Sequence, residues 1–157
     1  MNLSNLKYNP KQELPISGEI TSQSPSNIAL VKYWGKKPVQ IPTNPSLSFT
    51  LKNCHTITSI KFVKSEGFSF SFKINGQLNP KFLPKLNEFF LRIKDWVPFI
   101  FEYKIEINSI NTFPHSSGIA SSASGFSALS LAISQLEQKI TGLSNTDKYL
   151  KASFLSL

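Results

Sequence analysis

Three stretches of the chain alternate apolar and polar residues with a period of two. The cleanest is FSFSFKI, Phe68–Ile74, which places Phe68, Phe70, Phe72 and Ile74 on one face of a strand. YKIEINSI, Tyr103–Ile110, sets Tyr103, Ile105 and Ile107 on one side, and LSFTL, Leu47–Leu51, alternates over a shorter span. The β-branched run TITSIKFV, Thr56–Val63, also predicts a strand, as does the segment near Ile16–Ile20. NIALVKYW, Asn27–Trp34, is a short apolar run between Pro25 and Gly35 and predicts a buried strand. Lys32 and Trp34 would then face one way and Tyr33 the other. Asn75-Gly76 predicts a hairpin turn, and KKPVQIPTNPS, with its three prolines, predicts a loop.

The period then changes. Phe82, Leu86, Phe89, Ile93 and Trp96 recur at helical spacing, with Pro84 in the tolerant first turn. A second helix starts near Ser121, with Ala123, Phe126, Leu129, Ile133, Leu136 and Ile140 as its apolar stripe. Gly142 ends it, Ser144 caps a third helix, and Asp147 suits the first turn of that helix. Strands come first and helices cluster later, without a βαβαβ rhythm, so the class is α+β.

Length and composition narrow the choices. The 157 residues suffice for one domain with a real core, and a 40% hydrophobic fraction argues against global disorder. The net charge of +8 suits an anionic partner, whether nucleic acid, an acidic membrane surface or phosphorylated small molecules, and equally suits plain solubility. The lysines are spread out, and no RNA-binding or helix-turn-helix signature occurs, which sets nucleic acid aside. Cys54 is the single cysteine, the amino-terminal residues have no signal-peptide core, and no run is long enough to span a membrane. A reducing, cytoplasmic setting follows as the expectation, with residues 1–18 as a loose leader ahead of the domain.

Two stretches carry chemistry. PHSSGIASSAS precedes the second helix, whose first N–H groups and dipole attract anions. Small residues let a phosphate approach, Gly118 frees the backbone, and Ser116, Ser117, Ser121 and Ser122 add hydroxyl donors. The same composition is that of a Ser-capped helix, and neither the Walker A nor the G-x-G-x-x-G pattern is present. The other stretch is SPSNIALVKYWGKKP, where Lys32, Lys36 and Lys37 surround Tyr33 and Trp34 at a strand end. A turn at Gly35 would bring Tyr33 and Lys36 together as an anion site; solvated lysines at a strand end are the plainer alternative. The only histidines, His55 and His115, have no partners at metal-ligand spacing, and Asp95 and Asp147 fall on helices away from the serine loop. No acid lies within either stretch, so no general base is evident.

Together the two stretches resemble the diphosphomevalonate decarboxylase family of the GHMP kinase superfamily. SPSNIALVKYWGKKPVQIPTNPSLSFTL is similar to the family's opening N-I-A-x-x-K-Y-W-G-K segment, and NTFPHSSGIASSASGFSAL to its phosphate loop. His115 and Ser116 replace the commoner Thr and Ala. The resemblance runs from about Ile20 to the end. It implies a GHMP-kinase-type amino-terminal domain, a mixed or antiparallel sheet with helices on one face, of the ribosomal-protein-S5-domain-2-like kind. It also implies residues 19–157 as an incomplete copy of that domain, with the carboxy-terminal domain and its catalytic Asp absent.

The implied activity is ATP- and Mg²⁺-dependent decarboxylation of 5-diphosphomevalonate to isopentenyl diphosphate, in a mevalonate pathway of isoprenoid synthesis. The complete enzyme would be a homodimer, without nucleic-acid or membrane partners. Tyr33, Trp34, Gly35 and Lys36 would contact the substrate diphosphate, with Lys81 as a further basic contact. Asn27 would orient the reacting region. Ser117, Gly118, Ile119, Ala120, Ser121 and Ser122 would wrap the ATP phosphates, with Ser122 as the foremost hydroxyl. The alternatives are a non-catalytic ATP- or diphosphate-binding module and a sister small-molecule kinase, and the chain alone is expected to be inactive.

Overall fold

The computed structural model describes residues 6–37, 41–114 and 119–156. Five strands form one mixed sheet: β1 (Ser17–Val31), β4 (Leu47–Lys64), β7 (Tyr103–Asn111), β5 (Ser69–Ile74) and β6 (Gln77–Leu78), side by side in that order. All neighbours are antiparallel except β5 and β7, which run parallel. Two short strands, β2 (Lys36–Lys37) and β3 (Ile41–Pro42), make a separate ladder. The helices are α1 (Leu83–Ile93), α2 (Ser121–Thr141) and α3 (Asn145–Leu155). The α+β class agrees with the sequence pattern, and the helix-covered sheet with what the family resemblance implies.

Alternation decides which face is covered. Ile20, Ile60, Phe62, Phe72, Tyr103, Ile105 and Ile107 are buried on one face, where Phe89, Ile93, Leu129, Ile133, Leu136 and Ile140 of the helices meet them. Phenylalanine fills the α1 side: Phe68 lies 4.9 Å from Phe90 and 4.7 Å from Phe101, centroid to centroid. The other face is polar. There Glu19 stands opposite Lys61, Lys61 opposite Glu106, and Lys73 Nζ donates to Glu106 at 2.9 Å. The Lys73 ammonium holds the Glu106 carboxyl below its ordinary value. The hairpin turn forms as expected, with Asn75 at φ 51° and Gly76 at φ 78° joining β5 to β6. Among the described residues no helix is long and apolar enough to cross a membrane.

Several expectations are corrected. The strands near Ile16–Ile20 and Asn27–Trp34 are one strand, β1, and the two runs of Leu47–Val63 are likewise one strand, β4. Pro25 does not end β1, because β1 is an edge strand and proline costs no ladder bond on the open side. The register instead jumps there, from Pro25↔His55 to Ser26↔Leu51, a bulge that bends the pair. Thr112 stitches it: its N–H donates to the His55 carbonyl, and its Oγ1 accepts from the His55 N–H.

Beyond the bulge β7 no longer follows, so residues 26–31 and 47–51 stand as a two-stranded arm. The predicted burial of Asn27–Trp34 therefore fails: Leu30 and Val31 are exposed and Trp34 is 95% exposed. Lys32, Tyr33 and Trp34 lie past the end of β1, so strand alternation does not apply to them. Ala123 is exposed too, because it turns about 100° away from Ser124, which faces the sheet. The described part of the expected loose leader is fastened. Leu6 is buried, the Lys11 and Gln12 N–H groups both donate to the Ile140 carbonyl, and Tyr103 Oη donates to the Pro15 carbonyl at 2.9 Å. Burial, then the Glu102 charge, pushes the Tyr103 phenol up to about 12, so it remains a donor.

An ion pair with almost no exposure joins α2 to α3: Lys151 Nζ donates to Glu137 Oε1 at 2.5 Å and to the Trp96 carbonyl at 2.9 Å. Burial pushes the Glu137 carboxyl up and the Lys151 amine down. Lys151→Ala strands the carboxylate and should lower stability by about 3–5 kcal/mol, read as a fall in urea midpoint. A Glu137→Leu/Lys151→Met double variant should recover most of it. In Lys151→Ala the folded chain holds the Glu137 proton more tightly than the unfolded chain does. Its stability should therefore drop as pH rises through the carboxylate range.

Candidate anion and nucleotide site

Three serines set one side of the site. Ser22, Ser24 and Ser26 occupy alternate inward positions of β1 and are buried. Ser22 Oγ donates to Gln135 Oε1 at 2.9 Å and Ser24 Oγ to Ser127 Oγ at 2.8 Å, both on α2. Ser26 Oγ donates to the Ile119 carbonyl, just before α2. Opposite them, Thr56 Oγ1 of β4 lies 2.7 Å from Ser124 Oγ and 2.8 Å from Asn111 Oδ1. Hydroxyl contacts thus fix the first half of α2 against two strands.

The amino end of α2 is left open. Ala120 precedes it in the left-handed region at φ 56°, no side chain among the described residues caps it, and no acid lies in its first turn. The contrast with α3 is internal: Ser144 Oγ accepts from the Asp147 N–H there at 3.1 Å. Among the described residues no side chain caps the first N–H groups of α2, the condition in which a helix end attracts an anion. A cleft opens beside this end. Phe72, Phe82, Leu86 and Phe126 form its apolar wall, and Asn111, Ser121 and Ser122 its polar rim.

The lysine-rich stretch follows the arm. Trp34 N–H donates to Asn44 Oδ1 at 2.8 Å, and the Gly35 carbonyl accepts from both the N–H and Oγ1 of Thr43, each at 2.9 Å. Thr43 and Asn44 therefore shape the turn that presents Trp34. Lys36 pairs through its backbone with Pro42, while Lys32, Tyr33 and Lys37 are exposed. Asn27, at the base of the arm, donates from Nδ2 to Ser48 Oγ at 3.3 Å. No acidic residue occurs between Glu19 and Glu66, so the arm carries only positive charge.

Ser26 brings the two stretches together, since it neighbours Asn27 and holds Ile119. Ile119, Ala120, Ser121 and Ser122 sit at the start of α2 as expected; His115, Ser116, Ser117 and Gly118 lie outside the described residues. Lys81 stands elsewhere, in the short turn Pro80–Phe82 leading into α1, beside Phe82 of the cleft wall. His55 is half-buried in the bulge, and no group of three His, Cys, Asp or Glu that could hold a metal occurs among the described residues. Sequence reasoning missed Ser26, Thr56, Asn111 and Ser124. For Ser22, Ser24 and Ser26 the period-two spacing itself was the available signal.

Residues 24–152 match the family model for the diphosphomevalonate decarboxylase-like N-terminal domain. The diphosphomevalonate decarboxylase of Rattus norvegicus is 30% identical over 139 residues, which cover 79% of this chain and 35% of that protein. That of Candida albicans is 34% identical over 137 residues, covering 80% and 38%. Among solved structures, mevalonate diphosphate decarboxylase from Staphylococcus aureus superposes with a TM-score of 0.71 at 32% identity, over 89% of this chain and 42% of that one. The Enterococcus faecalis enzyme, described with a mevalonate diphosphate mediated ATP binding mechanism, gives 0.69 at 32% identity, over 88% and 43%. A further neighbour with a TM-score of 0.69 and 32% identity is MDDEF in complex with MVAPP, AMPPCP and magnesium, covered over 88% and 42%. The chain thus spans little more than a third of the curated relatives it matches.

Ser26→Ala removes the bond that ties β1 to the residue before α2. Amide hydrogen exchange at Ile119–Ser122 should accelerate by about tenfold, the worth of one hydrogen bond. Exchange in α3 should be unchanged.

Proposed function

The chain belongs to the diphosphomevalonate decarboxylase-like N-terminal domain family, and on that premise we propose that it forms the substrate- and ATP-binding part of an ATP-dependent 5-diphosphomevalonate decarboxylase. The observation that carries this reading is the Ser26–Ile119 hydrogen bond, which joins the lysine-rich stretch to the start of α2 across 93 positions. A helix amino end that no described side chain caps and an acid-free basic arm would then each meet its own polyanion.

Each motif would have its own anion. Tyr33, Trp34, Gly35 and Lys36 would take the substrate diphosphate, with Lys81 as a second basic contact and Asn27 orienting the reacting carbon. Ser117 through Ser122 would wrap the ATP phosphates against the α2 dipole, with the exposed Ser122 hydroxyl nearest the terminal phosphate. Without a carboxylate cluster among the described residues, Mg²⁺ would be held chiefly by phosphate oxygens and the Ser122 hydroxyl, and would screen phosphate charge.

In the proposed reaction the tertiary hydroxyl of the substrate attacks the γ-phosphorus of ATP and gives up its proton to a base, while ADP leaves with the electron pair of the broken P–O bond. The new phosphate leaves with the C–O electron pair. The electrons of the C–CO₂⁻ bond then form the alkene, releasing CO₂ and isopentenyl diphosphate. Positioning and charge stabilisation are what this chain would contribute. Neither aspartate is placed to take the proton: Asp95 follows α1, and Asp147 is engaged with Ser144 in α3.

Calorimetry tests the reading directly. Millimolar ATP should bind, and Ser122→Ala should weaken it about tenfold, one charge-assisted hydrogen bond. Lys36→Ala should weaken diphosphomevalonate by a similar factor, followed by emission from the exposed Trp34. No heat with either ligand refutes the proposal, and CO₂ release by this chain alone refutes its restriction to binding.

A further inference from the structure

β1 stands at one end of the sheet, and among the described residues its one ladder is with β4. The Lys64 N–H donates to the Ile16 carbonyl, so Ile16 and every second residue after it turn their backbone groups toward β4. Ser17, Glu19, Thr21 and Gln23 turn theirs away from the sheet, where no group among the described residues meets them. Native sheets blunt such an edge by keeping it short, covering it or placing proline in it. Here the open run reaches from Ser17 to Gln23 before Pro25 interrupts it.

A groove of about 340 Å³ follows this edge. Glu19 and Thr21 line one side, and Gln135, Gln138 and Lys139 of α2 with Lys148 of α3 line the other. The helix side is rich in donors. Lys139 is exposed, whereas Lys148 is only 8% exposed. The Lys148 ammonium has three protons to give and donates to Asn145 Oδ1 at 3.1 Å, with the Tyr149 ring 4.8 Å away. Among the described residues no carboxylate pairs with Lys139 or Lys148. Gln135 Oε1 accepts from Ser22 Oγ, and its Nε2 has no partner among the described residues. Glu19 is the one acid of the lining, and its side chain lies on the opposite, polar face of the sheet, 4.0 Å from Lys61 Nζ. A buried ammonium without a counter-charge is unfavourable, and an incoming carboxylate relieves it.

We propose that this edge and groove take up an extended acidic segment of a partner protein by strand addition. The backbone of the segment pairs with the open N–H and C=O groups of Ser17, Glu19, Thr21 and Gln23. Its alternate side chains then lie over the groove, and glutamate or aspartate at every second position meets Lys148, Lys139 and Gln135 Nε2. A second copy of this chain fits poorly. Two β1 edges paired with each other would bring the Lys139 and Lys148 side chains of the two copies together, like charge against like. Nor do any two of the nine acidic residues of the chain lie two positions apart.

The test uses three capped octapeptides and calorimetry on the full chain. One alternates glutamate with threonine. A second has four glutamates followed by four threonines, with the same composition and charge. The third is the alternating peptide N-methylated at its four central residues, which removes backbone donors on both of its edges. The alternating peptide should bind about tenfold more tightly than the block peptide and should slow amide exchange at Glu19, Thr21 and Gln23. The N-methylated peptide should not bind. Lys148→Gln should weaken the alternating peptide about tenfold, the worth of one charge-assisted hydrogen bond. Thr21→Pro, which deletes an open N–H on an edge that already carries Pro25, should abolish binding. The three peptides are compared on the unaltered protein, so that comparison decides the matter whether or not a variant folds. Equal binding of the alternating and block peptides overturns the proposal, as does no binding or unchanged exchange at the three amides. A dimer of the free chain that protects those amides overturns it too, by giving the edge to a second copy.

Discussion

The arrangement depends on how α2 is held. Its amino end has to stay uncapped if it is to meet an anion, and the space in front of it has to stay open. Large apolar side chains near that end would fill the same space. On the side facing β1 and β4 the chain uses hydroxyls there instead: Ser24 to Ser127, Thr56 to Ser124, and Ser26 to the carbonyl just ahead of the helix. Each bond is worth about 1 kcal/mol. The apolar side chains Leu129, Ile133, Leu136 and Ile140 take over farther along, where nothing has to approach. The helix is therefore anchored by packing at one end and aimed by hydrogen bonds at the other.

The buried Glu137–Lys151 pair belongs to the same division. It sits in the packed half of α2, where α3 crosses, and Lys151 reaches on to the Trp96 carbonyl at the end of the α1 segment. Apolar residues could fill that volume at similar or lower free energy. What the pair adds is a fixed register among three helical segments, because an ammonium nitrogen finds both oxygens in only one alignment. Charge elsewhere is arranged by contrast. The four residues Glu19, Lys61, Glu106 and Lys73 cancel on the open sheet face, while the arm, with Lys32, Lys37 and Lys52, carries its positive charge uncompensated.

Much of the fold was legible because burial follows period. Phe68–Ile74, Tyr103–Ile107 and the stripe from Leu129 to Ile140 each show one apolar face, and each buries it. The Ser144 cap and the Gly142 terminus were legible from residue chemistry alone. Pro25 misled, since sequence does not say which strand will lie at an edge. Trp34 misled for a related reason: an apolar run predicts burial only where another layer lies above it. The two candidate anion-binding stretches stood out as motifs. Ser22, Ser24 and Ser26 did not stand out, because serine is mostly an exposed residue and its burial is not signalled by its type. The line from Asn111 through Thr56 to Ser124 spans 68 positions and three elements, and no local pattern encodes it.

The bulge at Pro25 and His55 also has a mechanical meaning. From Ser26 to Val31 is five residue steps of about 3.3 Å, so the arm ends about 17 Å from its root. It is two strands wide there, and among the described residues no third strand braces it. A rotation of about 10° at the root would carry the tip about 3 Å, comparable to the length of a hydrogen bond. The stiffness of this joint, set largely by the bonds Thr112 makes to His55, governs how accurately Trp34 and its neighbouring lysines are placed. Positional tolerance at the tip is thus decided more than a dozen ångströms away, by a threonine that belongs to neither strand of the arm.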